Sequence, residues 1–217
     1  MSLGSTRPHH QKGPRGIVGC VTESGVSSWD DAYSGTPPWD IGHPQPAFAS
    51  LAQAGDISGR VLDIGCGTGE HALMAAGLGL TSTGVDGSSA AISIARRKAA
   101  ERDLDVRFIV HDALDLGALG EQFDTVLDCG LFHVFDDDDR ARYVGSLRQA
   151  VAAGGRYFML CFSDRQPPGF GPRRVRREEI EACFADGWRI DEIEPYTMEV
   201  TIDPAGVRAW RTAITRR

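Results

Sequence analysis

Three glycines at alternate positions in "RVLDIGCGTGEH", Arg60 to His71, constrain the fold more than any other stretch of this chain. The stretch opens as an apolar strand over Arg60–Ile64 and turns through Gly65, Gly67 and Gly69. It then runs into an Ala/Leu/Met-rich helix near His71–Gly77. Glycine adopts positive φ without a Cβ penalty, so a turn of this kind lets the backbone approach a ligand closely. In open α/β sheets, ligands bind beyond the carboxyl ends of the strands, which is where this turn falls.

The same alternation of strand and helix continues along the chain. "TSTGVD" (Thr81–Asp86) reads as a second strand, and "SSAAISIARRKAAERD" as a helix with serines placed to cap its start. "VRFIVHD" (Val106–Asp112) and "FDTVLDCG" (Phe123–Gly130) are a third and fourth strand. "DDDDRARYVGSLRQAVAAGG" reads as a helix with an acidic start suited to its dipole, ended by Gly154-Gly155. "RYFMLCF" (Arg156–Phe162) is a fifth strand, apolar on both faces. "WRIDEIEPYTMEV" and "VRAWRTAITR" are strand-like with a turn around "DPAG", which predicts a terminal antiparallel hairpin. The fold class is therefore α/β, a Rossmann-like doubly wound, mostly parallel seven-stranded sheet with that hairpin at its C-terminal end.

A chain of 217 residues suffices for one domain with a real core. We divide it into a leader over residues 1–27 and one domain over 28–217. Within the domain, 28–58 form an N-terminal lid, 59–162 the ligand-binding core, and 163–217 a substrate-side loop and the hairpin. The leader, rich in Gly, Pro, His and Ser, is expected to be disordered and has no apolar signal-peptide core. A net charge of −7 argues against a general nucleic-acid binder, and no apolar run is long enough to span a bilayer. Cys20, Cys66, Cys129, Cys161 and Cys183 are scattered and form no CxxC pair. Neither a disulfide framework nor a metal site is expected, and a reducing cytoplasm fits. A monomer or weak dimer is the expected state.

The glycine spacing separates the possible ligands. A dinucleotide fingerprint needs GxGxxG, whereas Glu70 stands where its third glycine would be, and no Gly-Lys-Ser/Thr comes after it to make a P-loop. Asp63, just before the turn, would repel a pyrophosphate but receive a cationic amino group.

"VLDIGCGTG" closely resembles motif I of the class I S-adenosylmethionine-dependent methyltransferases, and further positions agree with that resemblance. It implies that Asp63, Gly65, Cys66, Gly67, Thr68 and Gly69 hold S-adenosyl-L-methionine. Asp86, with Gly87 and Ser88, would accept the ribose hydroxyls. Asp112 and Ala113 would contact the adenine, and Asp128 and Cys129 the methionine portion. These markers span Arg60 to Phe162.

The segment "WDDAYSGTPPWDIGHPQPAF" (Trp29–Phe48) supplies aromatic surface and rigid turns suited to closing over a site. It resembles the start of the thiol, halide and thiopurine methyltransferase-like group and of bacterial relatives acting on quinone-like or heterocyclic compounds. "D.GLFHVF" after the fourth strand supports the same group. The resemblance implies that Trp39, Asp40 and Gly42 help close the pocket, with Trp29 and Tyr33 nearby. His43 in the lid, Phe132 after the fourth strand and Phe170 in the loop after the fifth complete the residues expected to face or cover a small-molecule methyl acceptor.

The expected activity is in-line transfer of a methyl group to sulfur, oxygen, nitrogen or halide, leaving S-adenosyl-L-homocysteine. The alternative is a non-catalytic module that binds the cofactor for regulation. A thiolate or halide arrives nucleophilic, whereas a phenol gains from a base, and His133 is the candidate for it. His71 and His111 read as packing residues. Asp136–Asp139 read as helix N-terminal charge rather than a metal site. The arginines of the loop after the fifth strand could favour an anionic acceptor.

Overall fold

The computed structural model describes residues 29–169 and 171–217, so the leader and Phe170 lie outside the described residues. Strands β1 (Arg60–Ile64), β2 (Thr81–Asp86), β3 (Val106–Val110), β4 (Phe123–Cys129), β5 (Val151–Phe162), β6 (Trp188–Val200) and β7 (Asp203–Arg216) form one sheet. Its order is β3-β2-β1-β4-β5-β7-β6. The first five strands pair in parallel, and β7 runs antiparallel between β5 and β6. The order reverses between β1 and β4, so the switch point stands beside the glycine turn after β1.

Helices α1 (Trp29–Ala32), α2 (Pro46–Ala54), α3 (Glu70–Gly77), α4 (Ser89–Glu101), α5 (Asp137–Ala150) and α6 (Arg177–Cys183) complete the layers. None of the described helices is long and apolar enough to cross a membrane. Helix α2 forms because Pro46 preorganises its first turn and Gly55 ends it at φ 77°. Its buried face, Ala47, Phe48 and Leu51, packs with Val61, Leu127, Phe158 and Leu160 on one side of the sheet. On the other side Leu62, Ile64 and Val126 pack with Tyr143 and Leu147 of α5. Successive strand residues thus serve opposite faces, as period two requires.

Two boundaries differ from expectation. Helix α5 ends at Ala150, and the Gly154-Gly155 pair lies inside β5, at a register shift opposite Phe123–Thr125. A Cβ on Gly155 would sit 2.9 Å from the Ala152 carbonyl oxygen, so that crossing favours glycine. In the hairpin, the turn is Thr201–Ile202, and "DPAG" already belongs to β7. The Asp136 side chain caps α5 by accepting from Asp139 N–H, while Asp137 and Asp139 pair with Arg173 and Arg142. The acidic run therefore starts a helix, as expected.

Candidate active site

The glycine turn shapes a cleft at the switch point. Gly65 and Gly67 adopt φ of 62° and 52°, which turn the backbone away from the helix start and expose it to the cleft. Gly67 N–H donates to Asp86 Oδ2 and Ser88 N–H to Asp86 Oδ1, both at 2.8 Å. These bonds aim the Asp86 carboxylate at the turn. Burial raises its pKa, opposed by the two N–H donors.

Asp63, at 1% exposure, lies on the α2/α3 face of β1. Its Oδ2 accepts from Ala72 N–H at 3.1 Å, while its Oδ1 is buried with no hydrogen-bond partner. Desolvation pushes its pKa up to about 8, and Asp86 and Asp128 add to the rise. An unpaired buried carboxylate oxygen is costly, and an arriving ammonium group would satisfy it.

The N-terminal segment is a strap over this cleft, held at four points. Asp30 accepts from the Ser88 and Ser89 hydroxyls and from Ala90 N–H, at the start of α4. Asp40 accepts from the Thr68 hydroxyl at 2.9 Å, and Lys98 donates to that same hydroxyl and to Glu70. Pro38 O accepts from Thr201 N–H in the hairpin turn. Gln45 exchanges two side-chain hydrogen bonds with the Glu199 backbone on β6. Between these anchors the Tyr33 hydroxyl accepts from Trp39 Nε1 and lies 2.9 Å from where a Cβ on Gly67 would be. Trp39 meets the rings of Trp29 and Tyr33 edge-on.

The cleft so formed encloses about 500 Å3 with its open mouth included. From the predicted set it gathers Tyr33, Trp39, Asp40, His43, Gly65, Cys66, Gly67, Thr68 and Cys129. Ile41, Gln45, Glu70 and His71 also line it. Gly42 is an exposed turn at φ 76° beside them. Gly87 is an exposed residue after Asp86, Gly69 begins α3, and Ser88 caps α4 by accepting from Ala91 N–H. Asp112 stands at the exposed rim after β3 and caps the short 3-10 helix Ala113–Leu119 through Leu114 N–H.

Three expectations are corrected. Asp128 does not face the cleft: alternation turns it to the α5 side, where it is fully buried. Its oxygens accept from Tyr143 and Tyr157 hydroxyls and from Leu131 and Phe132 N–H groups, so they hold the loop after β4. Phe132 is fully buried under the Arg140 guanidinium and is not among the residues that line the cleft. His133 is buried with its Nδ1 accepting from Phe162 N–H at 2.9 Å. Burial, with Arg140 and Arg174 nearby, lowers its pKa to about 3. Its proton therefore sits on Nε2, which makes it a donor and a poor base.

Sequence reasoning missed Asp30, Gln45 and Lys98, which carry the strap anchors. A polar glutamine between Pro44 and Pro46 was the available signal for Gln45, because proline removes competing backbone donors. Nothing in the pattern marks Lys98. Four loop arginines are also accounted for: Arg173 and Arg176 pair with Glu179, Arg177 with Glu181, and Arg174 donates to the Pro167 and Pro172 carbonyl oxygens.

Comparison with known proteins agrees with this arrangement. The family described as a methyltransferase domain matches residues 61–155. The chain is 35% identical to 2-heptyl-1-hydroxyquinolin-4(1H)-one methyltransferase of Mycobacteroides abscessus, over 81% of this chain and 82% of that one. The chain belongs to the class I S-adenosylmethionine-dependent methyltransferases. A probable thiol methyltransferase 2 of Arabidopsis thaliana is 26% identical over 74% of this methyltransferase and 73% of that protein. Among solved structures, one from the conversion of a disulfide bond into a thioacetal group during echinomycin biosynthesis has a TM-score of 0.77 at 40% identity. It covers 86% of this chain and 88% of its own.

The residues present fit the methyl donor: a side-chain-free Gly67 beside Asp86, and an unpaired Asp63 oxygen at the other end of the turn.

Proposed function

We propose that this methyltransferase acts on a small molecule whose acceptor heteroatom reaches the cleft already ionised. The observation that carries this reading is the absence of a free base among the described lining residues. Glu70 is held by Lys98 and Arg102, Asp40 by Thr68, and His71 Nε2 by Gln45 N–H. Burial raises the Cys66 and Cys129 thiols well above their ordinary range, so neither is a thiolate. His43 stays at the exposed mouth with its ring nitrogens against Pro44 O and Glu199.

When bound, the sulfonium supplies an electrophilic methyl group. Asp63 receives the ammonium of the donor, Asp86 its ribose hydroxyls, and Asp112 and Ala113 lie at the adenine end. Tyr33, Trp39 and Ile41 exclude water and hold the acceptor beside Cys129, so alignment supplies most of the rate. The relatives support an acceptor with an acidic heteroatom, since one is named for a 1-hydroxyquinolone and another for thiols. In this reading His133 props the loop after β4 and takes no proton from the acceptor.

The test is turnover against pH with thiols, N-hydroxy heterocycles and phenols of graded acidity. The midpoint of the rate profile is expected to follow the acceptor's own pKa. One fixed midpoint for all acceptors would show an enzyme base and overturn the reading. Asp86→Ala is expected to weaken S-adenosylhomocysteine binding about 30-fold, through the loss of charged acceptors for two hydroxyls. Calorimetry measures this, and an unchanged dissociation constant removes Asp86 from the site.

A further inference from the structure

The strap and the cofactor carboxylate meet through one side chain that the function above leaves unused. His71 opens α3 beside Ala72, is 8% exposed, and packs edge-on against Phe48 at 4.7 Å. Its Nε2 accepts from Gln45 N–H at 3.1 Å, and its Nδ1 lies 3.9 Å from Asp63 Oδ1. That oxygen is the buried one without a hydrogen-bond partner. Gln45 is in turn fixed to β6 by the two bonds between its side chain and Glu199.

We propose that His71 is a positioning residue that couples closure of the strap to the grip of Asp63 on the donor's ammonium group. The proposal rests on Asp63 receiving that ammonium. An imidazole that accepts at Nε2 carries its proton on Nδ1 when neutral, so the Gln45 N–H selects the tautomer. The Nδ1–H then faces Asp63 and favours its ionised form. The opposite tautomer would turn a lone pair toward the carboxylate and repel it.

The surrounding charges make this contact matter. Asp86 at the end of β2, and Asp128 on the opposite face of the sheet, both disfavour a further negative charge at Asp63. Ala72 N–H and His71 Nδ1 come from α3, and the Cys66 and Cys129 thiols are protonated. His71 itself has Glu70 as its nearest other charge, and desolvation lowers its pKa to about 4, so it is neutral at working pH. Lifting the strap removes Gln45 N–H, frees the tautomer and weakens the ammonium site. By reciprocity, a bound ammonium favours the closed strap.

Two ligands separate this role from packing. S-adenosylhomocysteine carries the amino-acid end, and 5′-methylthioadenosine lacks it. Calorimetry on the full chain gives the affinity ratio of the two. His71→Gln places its amide where Nε2 was and leaves no donor at the Nδ1 position; it is expected to lower that ratio about tenfold. His71→Asn keeps an N–H at the Nδ1 position and is expected to preserve most of the ratio. Gln45→Pro removes the backbone N–H at a residue with φ −57°, and is expected to follow His71→Gln. Gln45→Ala keeps that N–H and controls for the side chain.

Asp63→Asn is the reference. If it leaves the ratio unchanged, the ammonium assignment fails. If it lowers the ratio while His71→Gln and Gln45→Pro do not, only the coupling is overturned. Equal loss of both ligands in the His71 variants would mark His71 as packing alone and overturn the coupling as well.

Discussion

Asp63→Asn is expected to raise the melting temperature of the ligand-free protein at pH 8 by about 5 °C or more, from at least roughly 2 kcal/mol of relieved charge burial. The cause is the rise of the Asp63 pKa from 3.8 to about 8 on folding. Between those two values the folded state keeps a proton that the unfolded chain releases. Stability therefore falls as pH rises across that window. Asparagine does not titrate, so the variant and the parent should melt together near pH 4 and separate progressively toward pH 8. S-adenosylhomocysteine should reverse the order, because the parent gains far more from an ammonium ligand. The asparagine variant should bind it about a hundredfold more weakly, as is usual when one partner of a buried charge pair is removed. Scanning calorimetry across pH, with and without the ligand, checks both halves. A parallel pH dependence in the two proteins would contradict burial of this carboxylate.

Asp128→Ala is expected to be among the most damaging single substitutions to stability. It strands four donors in the core: the Tyr143 and Tyr157 hydroxyls and the Leu131 and Phe132 N–H groups. The cost is roughly 3–5 kcal/mol, or about a 10 °C loss of melting temperature. Asn should cost less, since its carbonyl oxygen still accepts. S-adenosylhomocysteine should bind the folded fraction of the alanine variant with little change. Intact stability together with lost binding would return Asp128 to the cleft.

The contrast between Asp63 and Asp128 shows what was legible from the residues. The strand ends, the glycine turn and Asp86 were readable, because Gly65 and Gly67 need positive φ and β2 ends where expected. That these strands run parallel followed from their alternation with helices. Asp128 and Cys129 were both assigned to the ligand, yet adjacent strand residues point to opposite faces. Alternation along β4 places Leu127 and Cys129 toward α2 and α3, and leaves Val126 and Asp128 toward α5. That exclusion was available from period two alone.

The strap was harder to read. Its aromatic content marked it as a cover, but its anchors depend on partners far along the chain, such as Glu199 for Gln45 and Lys98 beside Asp40. His133 illustrates the same limit. Its position after β4 suited a base, and only the Phe162 N–H showed that the nitrogen needed for proton transfer is engaged.

The strap's first anchor also ties a helix start to the state of the cleft. Asp30 takes the N–H of Ala90 in the first turn of α4, although 60 positions separate them. A helix start that depends on a removable cap carries its own clock. Deuterium uptake at Ala90 should report each detachment of the strap, and a bound donor should slow that uptake. Mass spectrometry of the α4 peptide would thus time the opening of the site with no dye, spin probe or acceptor present.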